Sequence, residues 1–295
     1  MVTWLALAIL AQLLSALTVF IDKYVLVSKT GIKSPAAFAF YTMLLSGVVA
    51  VLIPFGVVQI PSAEVAFLSL VSALLYMTAL LFLYRVLQQL SVTDVIPITA
   101  ASGALTTGVL ATFLLTHDLP ATFVPGFLLL IIGTVFIYCV CFSRQLLLMA
   151  AASGALIGAS TFVVKLVFEV ANFGNALFWP LFMNAVVALI VLAPARFFAI
   201  KDGIKSSSSG AKWMVLISKA LGGLSFFLTF IAIALGSVSV VSALGGLQLI
   251  FLFILTPLFM RSVDVFKNEI DPNLLVIKSV GMLCIALGLA ALFVV

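Results

Sequence analysis

The side chains able to do chemistry in this chain are polar residues set inside otherwise apolar runs: Gln12, Thr18, Tyr76, Tyr84, Thr99, Lys165 and Gln248. Polar groups within hydrophobic helices are costly, so each must find a partner or face a wet cavity. Gln12 and Gln248 are the most informative, because a carboxamide carries two donors and an acceptor. For both, cavity lining and an interhelical hydrogen bond remain open. Thr18 and Thr99, like Thr78, Thr106 and Thr107, can instead bond the preceding turn of their own helix. Asn184 is a further buried-type amide. Lys165 precedes Glu169 by four residues; it either neutralises that carboxylate or holds a substrate carboxylate or phosphate.

This is the chemistry of recognition. Metal hydrolysis needs clustered His or carboxylate ligands, and nucleophilic catalysis needs a base beside the nucleophile. The single histidine, His117, sits in Thr116-His-Asp-Leu-Pro120, and no acid pair falls inside an apolar run. No Gly-rich phosphate loop with a lysine occurs, which argues against an ATP-driven pump. Cys139, Cys141 and Cys284 lie in apolar runs without metal-binding or redox spacing and read as core residues. No enzyme and no cofactor is expected.

The elements that position these residues must sit in lipid. Apolar residues make up 65% of the chain and charged residues 8%, with a mean hydropathy of +1.41. Too few polar groups remain to cover a soluble surface. The net charge of +5 is scattered over short connections, so nucleic acid is not an expected partner. The first run has no basic lead-in and reads as a retained membrane helix. With it there are ten apolar runs, at roughly 3–22, 35–57, 64–87, 93–115, 122–142, 146–168, 174–198, 211–235, 238–260 and 274–294, each near the ~20 residues a span requires. The longest connections, 199–211 and 261–273, read as solvated turns.

The runs repeat. Ser15-Ala-Leu-Thr18-Val-Phe20-Ile-Asp22-Lys23 is echoed by Gly158-Ala-Ser160-Thr-Phe162-Val-Val-Lys165. Pro54 and Pro194 close the following helix in each case, Ser91–Val95 aligns with Ser237–Val241, and Gly126 and Gly133 match Gly281 and Gly288. Residues 1–145 and 146–295 are thus expected to be five-helix repeats. An odd number of spans inverts one against the other, as in secondary transporters. Most Arg and Lys residues fall in or beside the odd-numbered connections, whereas the even side has little beyond Lys165. The positive-inside rule then places both termini outside. Asp22 with Lys23 reads as a solvated pair at a helix end, Asp94 as the cap of the fourth helix, and Pro97 as a kink. Tyr41, Phe178 and Trp179 read as core packing or interfacial anchors.

Ten spans, the five-plus-five repeat and these helix ends resemble the drug/metabolite transporter superfamily, specifically its EamA-type permeases, over essentially the whole chain. Ile9-Leu10-Ala11-Gln12 is also similar to the first helix of the small multidrug resistance proteins. Those relatives have a carboxylate where Gln12 stands, and Gln12 cannot ionise, so the chain departs from their proton-for-cation antiport. The resemblance implies a central cavity between the first, third, fourth, sixth, eighth and ninth helices, and termini in the cytoplasm, opposite to the charge pattern. The expectation is therefore an all-α integral membrane protein of ten transmembrane helices, in a cell (inner) membrane, as a monomer or homodimer. It would carry small metabolites such as amino acids or amphipathic compounds, outward by analogy with the resembled permeases, through secondary-active or facilitative transport. A lipid or lipid-linked-sugar flippase is the rival reading.

Overall fold

The computed structural model describes residues 3–28, 31–56, 58–115, 123–138, 143–195, 197–198, 201–202, 208–235, 246–263 and 275–293. Helices α1 (Thr3–Val27), α2 (Pro35–Ser46), α3 (Ala63–Leu87), α4 (Val92–Leu115) and α5 (Phe123–Tyr138) precede α6 (Arg144–Val170). α7 (Phe173–Val187), α8 (Ser209–Leu235), α9 (Leu247–Ser262) and α10 (Leu275–Phe293) complete the order. No strand occurs among the described residues. His117, Cys139, Cys141 and the Ser237–Val241 break lie outside them.

Helix starts follow from short polar side chains. The Ser34 hydroxyl accepts from the Ala37 N–H at 3.2 Å ahead of Pro35, and Ser62 accepts from Val65 at 3.2 Å. Asn172 caps α7 through the Asn175 N–H at 3.0 Å. Ser208 caps α8 through Ala211 at 3.1 Å, so the serine run 206–209 ends by starting a helix. In α4 the cap is Ser91, whose carbonyl accepts from Asp94 and Val95. Asp94 thus stands inside the first turn rather than at the cap, and its carboxylate accepts from the Ser91 hydroxyl.

Six helical segments are long and apolar enough to cross a membrane: Trp4–Val27, Pro35–Phe55, Ala63–Leu87, Arg144–Val170, Phe173–Ala195 and Ser209–Thr229. Leu247–Arg261 and Val276–Ala291 are apolar but shorter. The chain is an all-helical multi-pass membrane protein. Ten full spans exceed what the described residues carry: α5 and α9 have 16 residues each, about 24 Å at ~1.5 Å per residue, and their continuations lie outside. Two spans lose α geometry in their last turns. After α2 the chain tightens into a 3₁₀ stretch, Gly47–Phe55, that contains Pro54 and closes on Gly56 at φ 69°. After α7 it widens into a π turn, Ala188–Leu192, before Pro194.

The helices pack in pairs: α1 along α8, α3 along α6, α4 along α6, and α5 along α10. Small residues set the closest approaches. A Cβ on Gly133 would lie 2.6 Å from the Gly281 carbonyl oxygen, and one on Gly288 would lie 2.9 Å from that of Gly126. The paired glycines at seven-residue spacing are thus the seam between α5 and α10. Gly103, Gly154 and Gly158 do the same for α4 and α6. Hydrogen bonds sort the connections by end. Gln88 Nε2 donates to the Lys33 carbonyl at 2.6 Å, joining the first and third connections. The Gln59 N–H donates to Asn175 Oδ1 at 2.8 Å, joining the second connection to the start of α7.

Candidate functional site

A cavity of about 290 Å³ opens between α2, α3, α6, α7 and α8. Its polar lining is supplied by Thr42 and Ser46 from α2, Ser72 and Tyr76 from α3, Ser160 and Thr161 from α6, and Asn184 from α7. Phe168, Pro180 and Phe226 are part of its apolar wall. No Asp, Glu, Lys or Arg is among the described lining residues. Of the helices that the resemblance implies, the third, sixth and eighth contribute; the second and seventh stand where the first, fourth and ninth were expected. The cause lies in packing, because glycine contacts draw α4 tightly onto α6, while Ser46 hydrogen-bonds the Leu181 carbonyl at 2.9 Å and ties α2 to α7.

Most of the lining hydroxyls are already engaged. Thr42 donates to the Phe38 carbonyl at 2.9 Å, and Thr161 donates to that of Ile157 at 2.9 Å. Ser72 and Ser160 hydroxyls lie 2.9 Å apart, with Ser160 donating to the Ser72 carbonyl at 3.0 Å. Two groups are left over. Asn184 is buried, yet its Oδ1 has no hydrogen-bond partner. The Tyr76 hydroxyl likewise makes no hydrogen bond among the described residues.

Beside the cavity lies a buried ion pair. Lys219 Nζ of α8 sits 2.7 Å from Asp22 Oδ2 of α1, and the neighbouring Ser218 hydroxyl donates to Asp22 Oδ1. The same ammonium lies 4.8 Å from the centroid of the Phe38 ring and donates to the Tyr84 hydroxyl at 3.4 Å. Tyr84 is 3.0 Å from Thr42 Oγ1. Because the Thr42 hydroxyl donates to Phe38, Tyr84 must be the donor to Thr42. A directed chain therefore runs from Lys219 through Tyr84 to Thr42 on the cavity wall. A second pair joins α4 and α10, with Lys278 Nζ 2.9 Å from Asp94 Oδ1 and 3.0 Å from Oδ2.

These pairs correct two expectations. Asp22 and Lys23 are not a solvated couple: both are buried, Asp22 faces Lys219, and Lys23 donates to the Leu90 carbonyl. A carboxylate in lipid is held by a fixed cation more strongly than by a sequence neighbour that points to another face. Asp94 binds Lys278 for the same reason.

The structure brings Tyr76 to the cavity and Tyr84 to the chain behind it. The other sequence-derived residues stand elsewhere. Thr18 donates to the Leu14 carbonyl at 2.9 Å, and Thr99 to that of Val95 at 2.8 Å, the self-bonding that threonines in helices adopt. Lys165 is exposed and makes no ion pair with Glu169. Gln12 and Gln248 are half-buried and do not line this cavity. Sequence reasoning missed Lys219, which sits inside an apolar run like any snorkelling lysine. The signal was its depth: Lys219 lies eight residues inside the run 211–235, and Asp22, Asp94 and Lys278 are likewise ionisable groups within apolar runs.

Fold and cavity together define a multi-pass helical membrane protein whose cavity has no charged residue among its described lining and is linked through Tyr84 and Thr42 to the Asp22–Lys219 ion pair. No protein-family profile matches the chain, and no curated protein sequence matches it. A crystal structure of another protein is similar, with a TM-score of 0.56 and 18% identity over 95% of this chain and 97% of that one. At that identity the likeness shows a shared fold over nearly the full length.

Proposed function

We propose that this chain is a secondary-active or facilitative transporter of small neutral or amphipathic metabolites in a cell (inner) membrane, an EamA-type permease. It would work by alternating access between residues 1–145 and 146–295. The observation that carries the reading is the cavity, about 290 Å³, inside a membrane bundle and lined by hydroxyls and one carboxamide without a fixed charge. Its volume is near the lower end of small-molecule sites.

The packing supports an inverted repeat. Advancing every helix by five sends the α3–α6 pair onto α8–α1 and the α5–α10 pair onto itself, and these pairs are packed alike. Several correspondences are broken: α4 lies closely along α6, whereas the described part of α9 lies only loosely along α1. α3 lies along α7, whereas the equivalent helices α8 and α2 barely touch. A smaller cleft, about 150 Å³, lies there between Tyr41 and Leu45 of α2 and Val215 and Leu216 of α8. One closed and one parted seam is the asymmetry expected of a two-state carrier.

Reconstitution into liposomes tests the reading. Saturable flux of one class among amino acids, nucleobases, sugars and cationic dyes is expected, preceded by a raised melting temperature in detergent. A ligand at 100 times its Kd stabilises the folded state by about 2.7 kcal/mol. Thermal stabilisation by lipid-linked compounds alone, with no saturable flux, would overturn it in favour of the flippase.

A further inference from the structure

The cavity holds several polar side chains, and in two of them, Asn184 at Oδ1 and Tyr76 at its hydroxyl, a group has no hydrogen-bond partner among the described residues. Thr42, Ser46, Thr161 and the Ser72–Ser160 couple each direct a hydroxyl proton to a protein oxygen. Asn184 does not. It is 8% exposed, and its Oδ1 is enclosed without a donor. An acceptor left this way costs about 1–3 kcal/mol, which a bound molecule would recover. The backbone on either side of it is irregular. Pro180, one turn earlier, brings no N–H to the helix, and the π turn begins at Ala188, four residues on. Proline and π turns are local breaks that re-aim side chains and concentrate at functional positions.

We propose that Tyr76 and Asn184 are the specificity-determining groups of this cavity, and that they select a neutral molecule bearing an amide-type edge, an N–H donor beside a C=O or ring-nitrogen acceptor. A carboxamide reads such an edge with two parallel hydrogen bonds, accepting at Oδ1 and donating from Nδ2, the same pairing by which Asn reads adenine. The Tyr76 hydroxyl supplies one more donor or acceptor. Phe168 and Pro180 offer flat apolar surface for the body of the molecule. The absence of an ionisable acid or base from the described lining disfavours carboxylates and amines, whose charge would enter an apolar site unpaired. Primary carboxamides, lactams and nucleobases share the required edge. Tyr76 belongs to the first repeat and Asn184 to the second, so a molecule held by both would link the two halves.

The assignment deepens the transport reading and rests on this cavity being the transported molecule's site. Equilibrium binding to the detergent-purified full chain tests it with matched probes: nicotinamide against nicotinate, and uracil against 1,3-dimethyluracil. At least one amide-edged probe is expected to bind about tenfold or more tighter than its control, the value of one good hydrogen bond. Asn184→Leu should remove that preference. Tyr76→Phe, which deletes a single oxygen and leaves the ring in place, should weaken binding about fivefold or more. Equal binding of both members of each pair, silence from all four probes, or binding indifferent to both substitutions would overturn the assignment. Liposome flux separates the two claims. Variant-sensitive binding without flux would sink the transport reading and leave the pair standing. Saturable flux untouched by either substitution would sink the pair and leave transport standing.

Discussion

At Asp22 the chain buries a carboxylate that needs an ammonium from a helix 197 positions away. Desolvation makes such a group expensive, and the attraction of Lys219 and the Ser218 hydroxyl offsets it, while the aromatic faces of Phe38 and Tyr84 steady the ammonium. Removing one partner leaves the other charge stranded, so Lys219→Met should destabilise the protein by about 3 kcal/mol, at the low end for buried pairs because the side chains keep some exposure. Adding Asp22→Leu should recover most of that loss. Thermal unfolding in detergent measures both, and a double variant as weak as the single one would disprove the pairing. Tyr84→Phe is a gentler cut. It deletes the link between Lys219 and Thr42 and should cost about 1 kcal/mol, leaving the ion pair formed. The carriers of this network could be seen in the sequence as intramembrane ionisable groups, but their pairing could not. Hydropathy records that Asp22 is out of place, not which of several distant lysines answers it. Asn184 was visible as an amide in an apolar run, whereas its lack of a partner is a property of the packed α2–α7 neighbourhood.

Between helices, the glycines decide. On Gly154 a β-carbon would collide with the Thr99 carbonyl oxygen and the Ser102 hydroxyl, which lie on α4. On Gly223, in α8, the same atom would meet nothing within 4 Å. Gly154→Val should therefore force α4 from α6 and cost about 2–3 kcal/mol, as overpacking does. Gly223→Ala should add about 0.5–1 kcal/mol by reducing the freedom of the unfolded chain. Melting temperatures moving in opposite directions would bear this out; a tolerated Gly154→Val would mean that the two helices can part without loss. The seven-residue glycine spacing shared by α5 and α10 could be read directly, since small residues at helical spacing announce close approach. The partition of α2 and α7 into regular and tightened or widened turns was less legible. Pro54 and Pro194 marked where each span closes, but proline alone does not say whether the chain responds with a 3₁₀ or a π turn.

For the whole molecule, loop charge carries an expectation of which end faces the cytoplasm. The hydrogen bond from Gln88 to Lys33 and the Asp94–Lys278 pair gather the first and third connections and the start of α10 at one end, and Gln59 with Asn175 marks the other. The structure also withdraws some charges from the comparison. Lys23 and Lys278 are buried and Lys219 is largely so, each against a protein partner, so they exert little pull on the orientation of a loop. Taking them out leaves Lys29, Lys33, Arg85, Arg144, Arg196, Lys201, Lys205, Lys212, Arg261 and Lys267 on the odd side against Lys165 on the even side. By the positive-inside rule, that imbalance predicts odd connections in the cytoplasm. With Cys139, Cys141 and Cys284 replaced, a single cysteine at exposed Lys33 should react with a membrane-impermeant maleimide only in inside-out vesicles. A cysteine at Ile60, 95% exposed in the second connection, should react only in right-side-out ones. The reverse pattern would put the termini in the cytoplasm, as the EamA-type resemblance implies, and would make this chain one whose helix packing overrides its loop charges. Because the α2–α8 cleft lies toward the odd end, the labelled orientation also fixes which compartment it faces: the cytoplasm if charge decides, the exterior if it does not.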